Sequence, residues 1–178
     1  MWGIDSSWTL FLDRDGVINE RLIGDYVKDR AHFRLLPGVG AALKLASGVF
    51  GPIVVVTNQQ GIGKKLMTER NLSDVHAYCL ELVEAAGGRI DRFYFAPALA
   101  AENSSLRKPD TGMAFQAQAD FPSIDFTRSV MIGDSDSDIA FGKSLGMKTV
   151  FVATENEQHL SADLTAGSLE EALNRIIP

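Results

Sequence analysis

Short apolar runs alternate along the chain with stretches whose apolar residues recur at helical spacing. The runs have the length and continuous hydrophobicity of strands that are buried on both faces of a sheet. They predict five strands, at residues 8–12, 53–56, 92–96, 129–132 and 148–152. Strands that alternate with helices are typical of a parallel sheet with crossover helices.

Five helices are predicted between and after these strands. The first starts near Pro37, and Val39, Ala42, Leu43 and Ala46 share one of its faces. The second is capped by Thr68 and has an apolar stripe formed by Leu72, Val75, Cys79, Leu82 and Val83. The others follow residue 111 or cover residues 136–145 and 169–176. The irregular segments 19–36, 98–109 and 154–167 are too short for a second domain, so residues 1–178 are expected to form a single domain.

Composition narrows the class of protein. The chain has 178 residues, of which 46% are hydrophobic and 22% charged, and these are globular values. A net charge of −6 argues against a nucleic-acid or membrane-surface binder. The single cysteine excludes an intrachain disulfide and cysteine-rich zinc sites. Because no segment has the pattern of a signal peptide or a membrane span, we expect a cytoplasmic protein. We also expect it to be a monomer or a small homo-oligomer.

Two carboxylates follow the first predicted strand directly. Asp13 and Asp15 stand two residues apart, and they would repel each other unless a cation joined them. Mg²⁺ prefers oxygen ligands and keeps waters that a substrate phosphate can replace. The pair therefore indicates either a Mg²⁺ site or an acidic turn without a ligand.

The loop after the second predicted strand offers a hydroxyl, side-chain amides and backbone N–H groups, which suit phosphate oxygens. Its candidate ligands are Thr57, Asn58, Gln59 and Gln60. A nucleotide-binding P-loop is excluded, since that motif needs Gly in place of Asn58 and Ser or Thr in place of Lys65. The alternative is a polar turn.

Two further loops carry charged candidates. Asp134 follows the fourth predicted strand, where a third metal carboxylate would come from, and Asp138 lies one helical turn later. A calcium loop is excluded because Ile139 stands where that loop needs Gly. These acidic residues could instead cap the next helix. Lys108, kept extended by Pro109, is either a phosphate ligand or an exposed basic residue.

In their order along the chain, these motifs resemble the haloacid dehalogenase (HAD) superfamily of phosphatases. The matching residues are Asp13 with Asp15, Thr57, Lys108, and Asp134 with Asp138. The resemblance runs from residue 10 to about residue 152. It implies a Rossmann-like α/β domain with a five-stranded parallel sheet of order 5-4-1-2-3 and helices on both faces. Because segments 16–52 and 61–107 are short, a capless form is expected.

The resemblance also implies a mechanism for hydrolysis of a phosphate ester. Asp13 would be the nucleophile that forms an aspartyl-phosphate, and Asp15 would be the general acid and base. Mg²⁺ would be held by Asp13, the Asp15 backbone carbonyl and Asp134.

Other residues would hold the substrate. Thr57 and Lys108 would bind the transferring oxygens, and the loop 58–60 would contact the substrate. Asp138 would orient Lys108 or a metal-bound water.

Segments 11–19, 57–62 and 107–113 more closely resemble the D-glycero-D-manno-heptose-1,7-bisphosphate 7-phosphatases and their relatives, the histidinol-phosphate phosphatases. In both groups the counterpart of Arg107 helps to bind substrate, and an arginine suits a second anionic or polyhydroxyl group. The expected substrate is therefore a small phosphorylated metabolite, such as this heptose bisphosphate or histidinol phosphate. Many relatives also carry a zinc loop before Arg107. The corresponding residues here are Ala96, Ala98, Ser104 and Leu106, so no zinc is expected and packing must hold the loop.

Two more distant functions stay open on the sequence. A polynucleotide 3′-phosphatase uses a similar core, although the acidic charge and the lack of a basic, aromatic strip argue against nucleic acid. A non-catalytic phosphosugar-binding module usually lacks the nucleophile or the acid, and both are present here.

Overall fold

A computed structural model describes residues 2–153, 159 and 161–177. Its regular elements are β1 (Thr9–Leu12), α1 (Val39–Ser47), β2 (Ile53–Asn58), α2 (Glu69–Ala85), β3 (Arg92–Ala96), α3 (Gly112–Asp120), β4 (Ser129–Gly133), α4 (Asp136–Ser144), β5 (Lys148–Val152), β6 (Leu164–Ala166) and α5 (Leu169–Ile176). The predicted α/β class is confirmed.

All described strands belong to one parallel sheet of order β3-β2-β1-β4-β5-β6. The predicted order 5-4-1-2-3 is confirmed, but the sheet has six strands rather than five. The additional strand, β6, lies in a segment expected to be irregular and pairs with β5. Its three residues are too few to show an apolar run or an alternation. Residues 154–158 and 160 of the same segment lie outside the described part of the chain.

Alternate residues of β1 point to opposite faces of the sheet, and each face has its own apolar layer. Leu10 and Leu12 pack in the layer that contains α1, α2 and α5, whereas Phe11 packs in the layer that contains α3 and α4. All three side chains are fully buried. Coverage of both faces explains why the central strands are continuously apolar.

Helix α2 buries most of its predicted apolar stripe and, in addition, His76. Thr68 caps the helix, and its Oγ1 accepts a hydrogen bond from the backbone N–H of Asn71 at 3.1 Å. The stripe is buried except for Leu82, which is half-buried, and His76 is buried as well. A polar residue therefore enters the interior from this helix.

No cap domain is inserted in residues 16–52 or 61–107, all of which are described. The first of these segments contains α1 and a loop with a short 3₁₀ turn at Arg30–His32, and the second contains α2, β3 and a short 3₁₀ turn at Ala100–Glu102. This agrees with the capless form expected from the sequence. Among the described residues, no helix has both the length and the apolar character needed to cross a membrane.

Candidate active site

The carboxyl ends of β1, β2 and β4 lie beside one another and carry most of the predicted site residues. Asp13 follows β1, Thr57 lies at the end of β2, and Asp134 follows β4. Strand β1 lies between β2 and β4, so these side chains emerge at one edge of the sheet. Open parallel sheets bind ligands at such a switch point.

Lys108 joins two aspartates in this site. Its Nζ donates to Asp13 Oδ1 at 2.8 Å and to the Val56 carbonyl at 2.7 Å, and it lies 2.5 Å from Asp138 Oδ1. The lysine side chain is only 2% exposed. Burial favours the neutral amine, but the charges of Asp13 and Asp138 prevail and raise the pKa of Lys108. Asp138 therefore lies against Lys108, where it can orient the ammonium group.

Asn58 fixes the backbone of Lys108. The N–H of Lys108 donates to Asn58 Oδ1 at 2.9 Å, and Asn58 Nδ2 donates to the Lys108 carbonyl at 3.1 Å. The sequence predicts Asn58 as a substrate ligand. It does border the cavity of the site, but its amide is engaged in holding the lysine loop against β2.

Three carboxylates converge beside Lys108. Asp13, Asp134 and Asp138 each place an oxygen within 4.8 Å of the oxygens of the other two. Burial raises the pKa of Asp13 to about 7, and repulsion by Asp138 and Asp15 adds to the effect, whereas Lys108 opposes it. Such mutual repulsion is relieved by a divalent cation, and an all-oxygen set of donors suits Mg²⁺.

Asp134 also approaches the backbone of the turn at Asp15 and Gly16. A Cβ atom on Gly16 would collide with the Asp134 carboxylate, and the φ of Gly16 is +92°. Glycine is therefore required for this close approach. Burial raises the pKa of Asp134, although Arg21 Nη1 donates to its Oδ2 at 3.0 Å. Asp13 and Asp134, two of the predicted Mg²⁺ ligands, lie in the carboxylate cluster.

Three donors hold the side chain of Asp15. Arg14 Nη2 donates to both carboxylate oxygens at 2.9 and 3.0 Å, Asn19 Nδ2 donates to Oδ1 at 2.9 Å, and Gln59 Nε2 donates to Oδ2 at 2.7 Å. Burial acts to raise the pKa of Asp15, but the Arg14 charge and these hydrogen bonds lower it overall. The contacts favour the anion, which is the form of a general base. The charge of an incoming phosphate ester would favour protonation, which gives the form of a general acid.

Gln59 lies inside the protein rather than in the cavity. The sequence predicts it as a substrate ligand, but the residue is 1% exposed. Its Nε2 donates to Asp15 and also to Thr57 Oγ1 at 3.0 Å. Thr57 borders the cavity and keeps its hydroxyl proton for a phosphate oxygen. Gln59 therefore aligns two other site residues.

A cavity of about 1240 Å³ opens over the site. The predicted residues that line it are Asp13, Asp15, Thr57, Asn58, Gln60, Arg107, Lys108 and Asp134. Two unpredicted cations, Arg21 and Lys64, line it as well, and Lys64 Nζ lies 5.4 Å from the ring centre of Tyr26. Arg107 Nη1 is buried and has no hydrogen-bond partner among the described residues.

Backbone hydrogen bonds and apolar packing hold the loop 96–106, whose residues Ala96, Ala98, Ser104 and Leu106 offer no zinc-ligand side chain. The carbonyls of Ala96 and Pro97 accept hydrogen bonds from the N–H groups of Gln59 and Gly63 at 2.8 and 3.1 Å. Leu106 packs in the apolar layer that contains α3. Within residues 2–153, 159 and 161–177, the carboxylate cluster is the only group of three or more His, Cys, Asp or Glu residues close enough together to hold a metal ion.

Two buried residues of the site were missed by the sequence analysis. Arg14 stands between the two candidate carboxylates and is fully buried. His76, from α2, lies with its Nε2 3.2 Å from Arg14 Nη1. A basic residue between two functional aspartates is a signal that can find Arg14. His76 occurs among the apolar positions of a helix, where a histidine is more often a core residue.

Comparison with known proteins identifies the family of this chain. A family model described as HAD-hydrolase-like matches residues 105–173. The D-glycero-alpha-D-manno-heptose-1,7-bisphosphate 7-phosphatase of Mycobacterium tuberculosis is 39% identical over 132 residues, which make up 74% of this chain and 70% of that protein. The D-glycero-D-manno-heptose-1,7-bisphosphate 7-phosphatase of Chlorobaculum tepidum is 37% identical over 169 residues, which cover 88% and 84% of the two chains.

A solved structure shares the fold. The D,D-heptose 1,7-bisphosphate phosphatase from B. bronchiseptica, crystallised in complex with magnesium and phosphate, superposes with a TM-score of 0.84 at 22% identity. The match covers 96% of this chain and 98% of that one. Given the sequence identity to the two relatives across most of both chains, this protein belongs to the HAD-like hydrolase family of the heptose-1,7-bisphosphate 7-phosphatases.

Proposed function

We propose that this chain is a Mg²⁺-dependent phosphatase that removes the 7-phosphate of D-glycero-D-manno-heptose 1,7-bisphosphate through an aspartyl-phosphate on Asp13. The observation that carries the proposal is the convergence of Asp13, Asp134 and Asp138 within 4.8 Å, with the Lys108 ammonium bound to Asp13. This arrangement places a nucleophile (Asp13), a carboxylate cluster that can bind a cation, and the positive charge of Lys108 beside one cavity. The names of the relatives supply the substrate.

In the first step, an Asp13 carboxylate oxygen attacks phosphorus and the bond from phosphorus to the ester oxygen breaks. The ester oxygen takes a proton from Asp15 and leaves as an alcohol. Lys108 and the Thr57 hydroxyl bind oxygens of the transferring group and stabilise the charge that they carry. Asp138 keeps the Lys108 ammonium in position.

In the second step, water attacks the phosphorus of the aspartyl-phosphate and gives a proton to Asp15. The bond to Asp13 breaks, and inorganic phosphate and the free carboxylate result. Asp15 is held in the anionic form that this step needs by Arg14, Asn19 and Gln59. A divalent cation bound by Asp13, Asp134 and the Asp15 carbonyl would offset the repulsion between these carboxylates and the substrate phosphate.

The cavity also suits the rest of a bisphosphate. Phosphate bound at Asp13 leaves space for a sugar, and three cations line that space: Arg21, Lys64 and Arg107. Arg107, which lines this space, carries a guanidinium that suits the second phosphate or a sugar hydroxyl. Gln60, which borders the same cavity, is placed to contact the sugar.

We further expect residues 1–178 to form a single domain that acts as a monomer or a small homo-oligomer. The protein should act in the cytoplasm, because a single cysteine is typical of proteins in a reducing compartment. No zinc is bound by the loop 96–106, because Ala96, Ala98, Ser104 and Leu106 offer no ligand side chain. The acidic net charge of −6 argues against nucleic acid and anionic membranes as partners.

A substrate panel tests the function. Phosphate release is measured with both anomers of the heptose bisphosphate, with histidinol phosphate and with p-nitrophenyl phosphate, each in Mg²⁺ and in EDTA. We expect kcat/KM for a heptose bisphosphate to exceed that for histidinol phosphate by about 100-fold, and EDTA to abolish turnover. Comparable rates on all substrates would reject the heptose assignment. Absence of turnover on every substrate would reject the phosphatase, and bound zinc in metal analysis would contradict the zinc-free loop.

A further inference from the structure

A buried chain of side chains leads from helix α2 to the proposed acid. His76 is 8% exposed and Arg14 fully buried, and their Nε2 and Nη1 atoms lie 3.2 Å apart. Arg14 then contacts both oxygens of Asp15 through Nη2. One end of the guanidinium therefore faces the imidazole and the other faces the carboxylate.

The chemistry of the two groups fixes the state of the histidine. A guanidinium has only donors, so Arg14 Nη1 must donate and His76 Nε2 must accept. The imidazole is therefore neutral and carries its proton on Nδ1. A protonated ring at this place would put a second, largely buried positive charge against Arg14.

The histidine ring is itself fixed by packing. It stacks on Phe93 of β3 with a centroid distance of 4.3 Å and an interplanar angle of 16°, and it meets Phe95 edge-on at 6.5 Å. Stacking fixes the plane of the ring, and the contact with Arg14 selects the edge that carries Nε2.

Arg14 depends on this acceptor. Its Nε has no hydrogen-bond partner among the described residues, so Asp15 and His76 are the contacts that hold its guanidinium. Without the imidazole, Nη1 would become a further unpaired buried donor, which costs about 1–3 kcal/mol. The guanidinium would then turn toward another partner, and the Asp15 carboxylate would be held by Asn19 and Gln59 alone.

We propose that His76 is a positioning residue of the phosphatase reaction: its neutral imidazole fixes the Arg14 guanidinium, which in turn orients the Asp15 carboxyl toward the leaving group. The inference rests on the proposed role of Asp15 as general acid and base. Arg14 and His76 form a buried polar pair that does not line the cavity, and this inference gives the pair a function.

Leaving-group dependence tests the proposal, because an alkyl leaving group needs a proton and p-nitrophenolate does not. For His76→Leu we expect kcat on the heptose bisphosphate to fall about tenfold, which is less than the full contribution of a general acid. On p-nitrophenyl phosphate, kcat should fall by less than about threefold. His76→Gln should restore most of the loss, because its amide oxygen reaches the place of Nε2. Equal losses on both substrates, or no loss, would overturn the proposal.

Two controls separate this result from other failures. Val75→Ala removes buried volume from the same helix without a polar contact to Arg14, so it should lower stability but leave the ratio of the two rates unchanged. Asp15→Asn tests the underlying function: if it shows no leaving-group dependence, the acid assignment fails, whatever His76 does. If Asp15→Asn shows the dependence and His76→Leu does not, only the present inference fails.

A spectroscopic measurement gives an independent answer, and it needs no variant that could misfold. In ¹⁵N-labelled wild-type protein near neutral pH, the His76 ring should show the Nδ1–H tautomer, with Nε2 as the unprotonated nitrogen. Observation of an Nε2–H tautomer or of an imidazolium ring would overturn the proposal.

Discussion

Lys108 Nζ donates a 2.8 Å hydrogen bond to Asp13 Oδ1, although 95 residues separate the two in sequence. The same ammonium lies 2.5 Å from Asp138, so one buried cation is shared by two carboxylates. The arrangement makes Lys108 both a structural counter-charge and the group that meets the incoming phosphate.

Lys108→Met should destabilise the protein in EDTA by about 3–5 kcal/mol, because Asp13 and Asp138 would remain buried without their counter-charge. Mg²⁺ should restore part of the loss, since it neutralises the same carboxylates. Urea denaturation with and without Mg²⁺ measures both effects. Lys44→Met, a substitution on the exposed face of α1, is the matched control. A loss below about 1 kcal/mol would show that the ion pair is not needed for folding.

Asp13→Asn should lower kcat with Mg²⁺ by at least roughly 10³-fold on every substrate, because an amide does not act as the nucleophile. Mass spectrometry of the wild-type protein, quenched in acid during turnover, should find a phosphorylated peptide that contains Asp13. Asp74→Asn makes the same chemical change on the surface of α2 and should have no effect. Residual turnover of more than a few per cent in Asp13→Asn would exclude Asp13 as the nucleophile.

Gly16→Ala should weaken Mg²⁺ binding about tenfold or more, because its Cβ would push the Asp134 carboxylate out of place. Calorimetric titration with Mg²⁺ gives the dissociation constant directly. Gly3→Ala is the control, since Gly3 also has a positive φ, of +66°, but nothing lies within 4 Å of an added Cβ. Both variants carry a strain of about 1 kcal/mol, and only Gly16→Ala should lose metal affinity.

Arg107→Ala should raise KM for the heptose bisphosphate about tenfold, equal to about 1.4 kcal/mol, and leave kcat nearly unchanged. The arginine is placed to bind a group that does not react, so its contact is the same in the ground state and the transition state. KM for p-nitrophenyl phosphate, which lacks such a group, should not change. Arg128→Ala, on the surface, serves as the control. A fall in kcat on both substrates would instead place Arg107 at the transferring phosphate.

Stability should depend on pH through His76. Burial and the neighbouring charge of Arg14 lower the pKa of His76 to about 3. Above the ordinary histidine pKa of about 6.5, the His76 ring is neutral in both the folded and the unfolded state. Below that pH, the ring binds a proton in the unfolded state but stays neutral in the folded state. The free energy of unfolding should therefore fall by about 2 kcal/mol from this group between pH 7 and pH 5.

Denaturant titrations of wild-type protein and His76→Gln over this pH range measure the contribution. The carboxylates titrate in both proteins, so the difference between the two slopes isolates the histidine. Parallel slopes would mean that His76 takes up its proton in the folded protein, in conflict with its place beside Arg14.

The sequence alone determined the strands β1 to β5 and the residues that follow them, and the resemblance to the HAD superfamily implied the order of the strands. Central parallel strands are covered on both faces, so they appear as continuous apolar runs, and groups that follow such strands meet at one edge of the sheet. For this reason Asp13, Thr57 and Asp134 could be named before any coordinates, whereas Lys108, in the loop before α3, was assigned through the resemblance. The short strand β6 could not, because three residues carry too little pattern.

Only the tertiary structure decided which atoms these side chains meet. Gln59 lies just beyond Thr57 at the end of β2, yet its side chain turns inward to Asp15. Asn58 binds the backbone of Lys108, so its amide is not free for substrate. The contact between Arg14 and His76 spans 62 residues and depends on how α2 packs on the sheet. Periodicity along a chain reports which face of an element is buried, whereas the partner of a buried polar group depends on packing between elements that are distant in sequence.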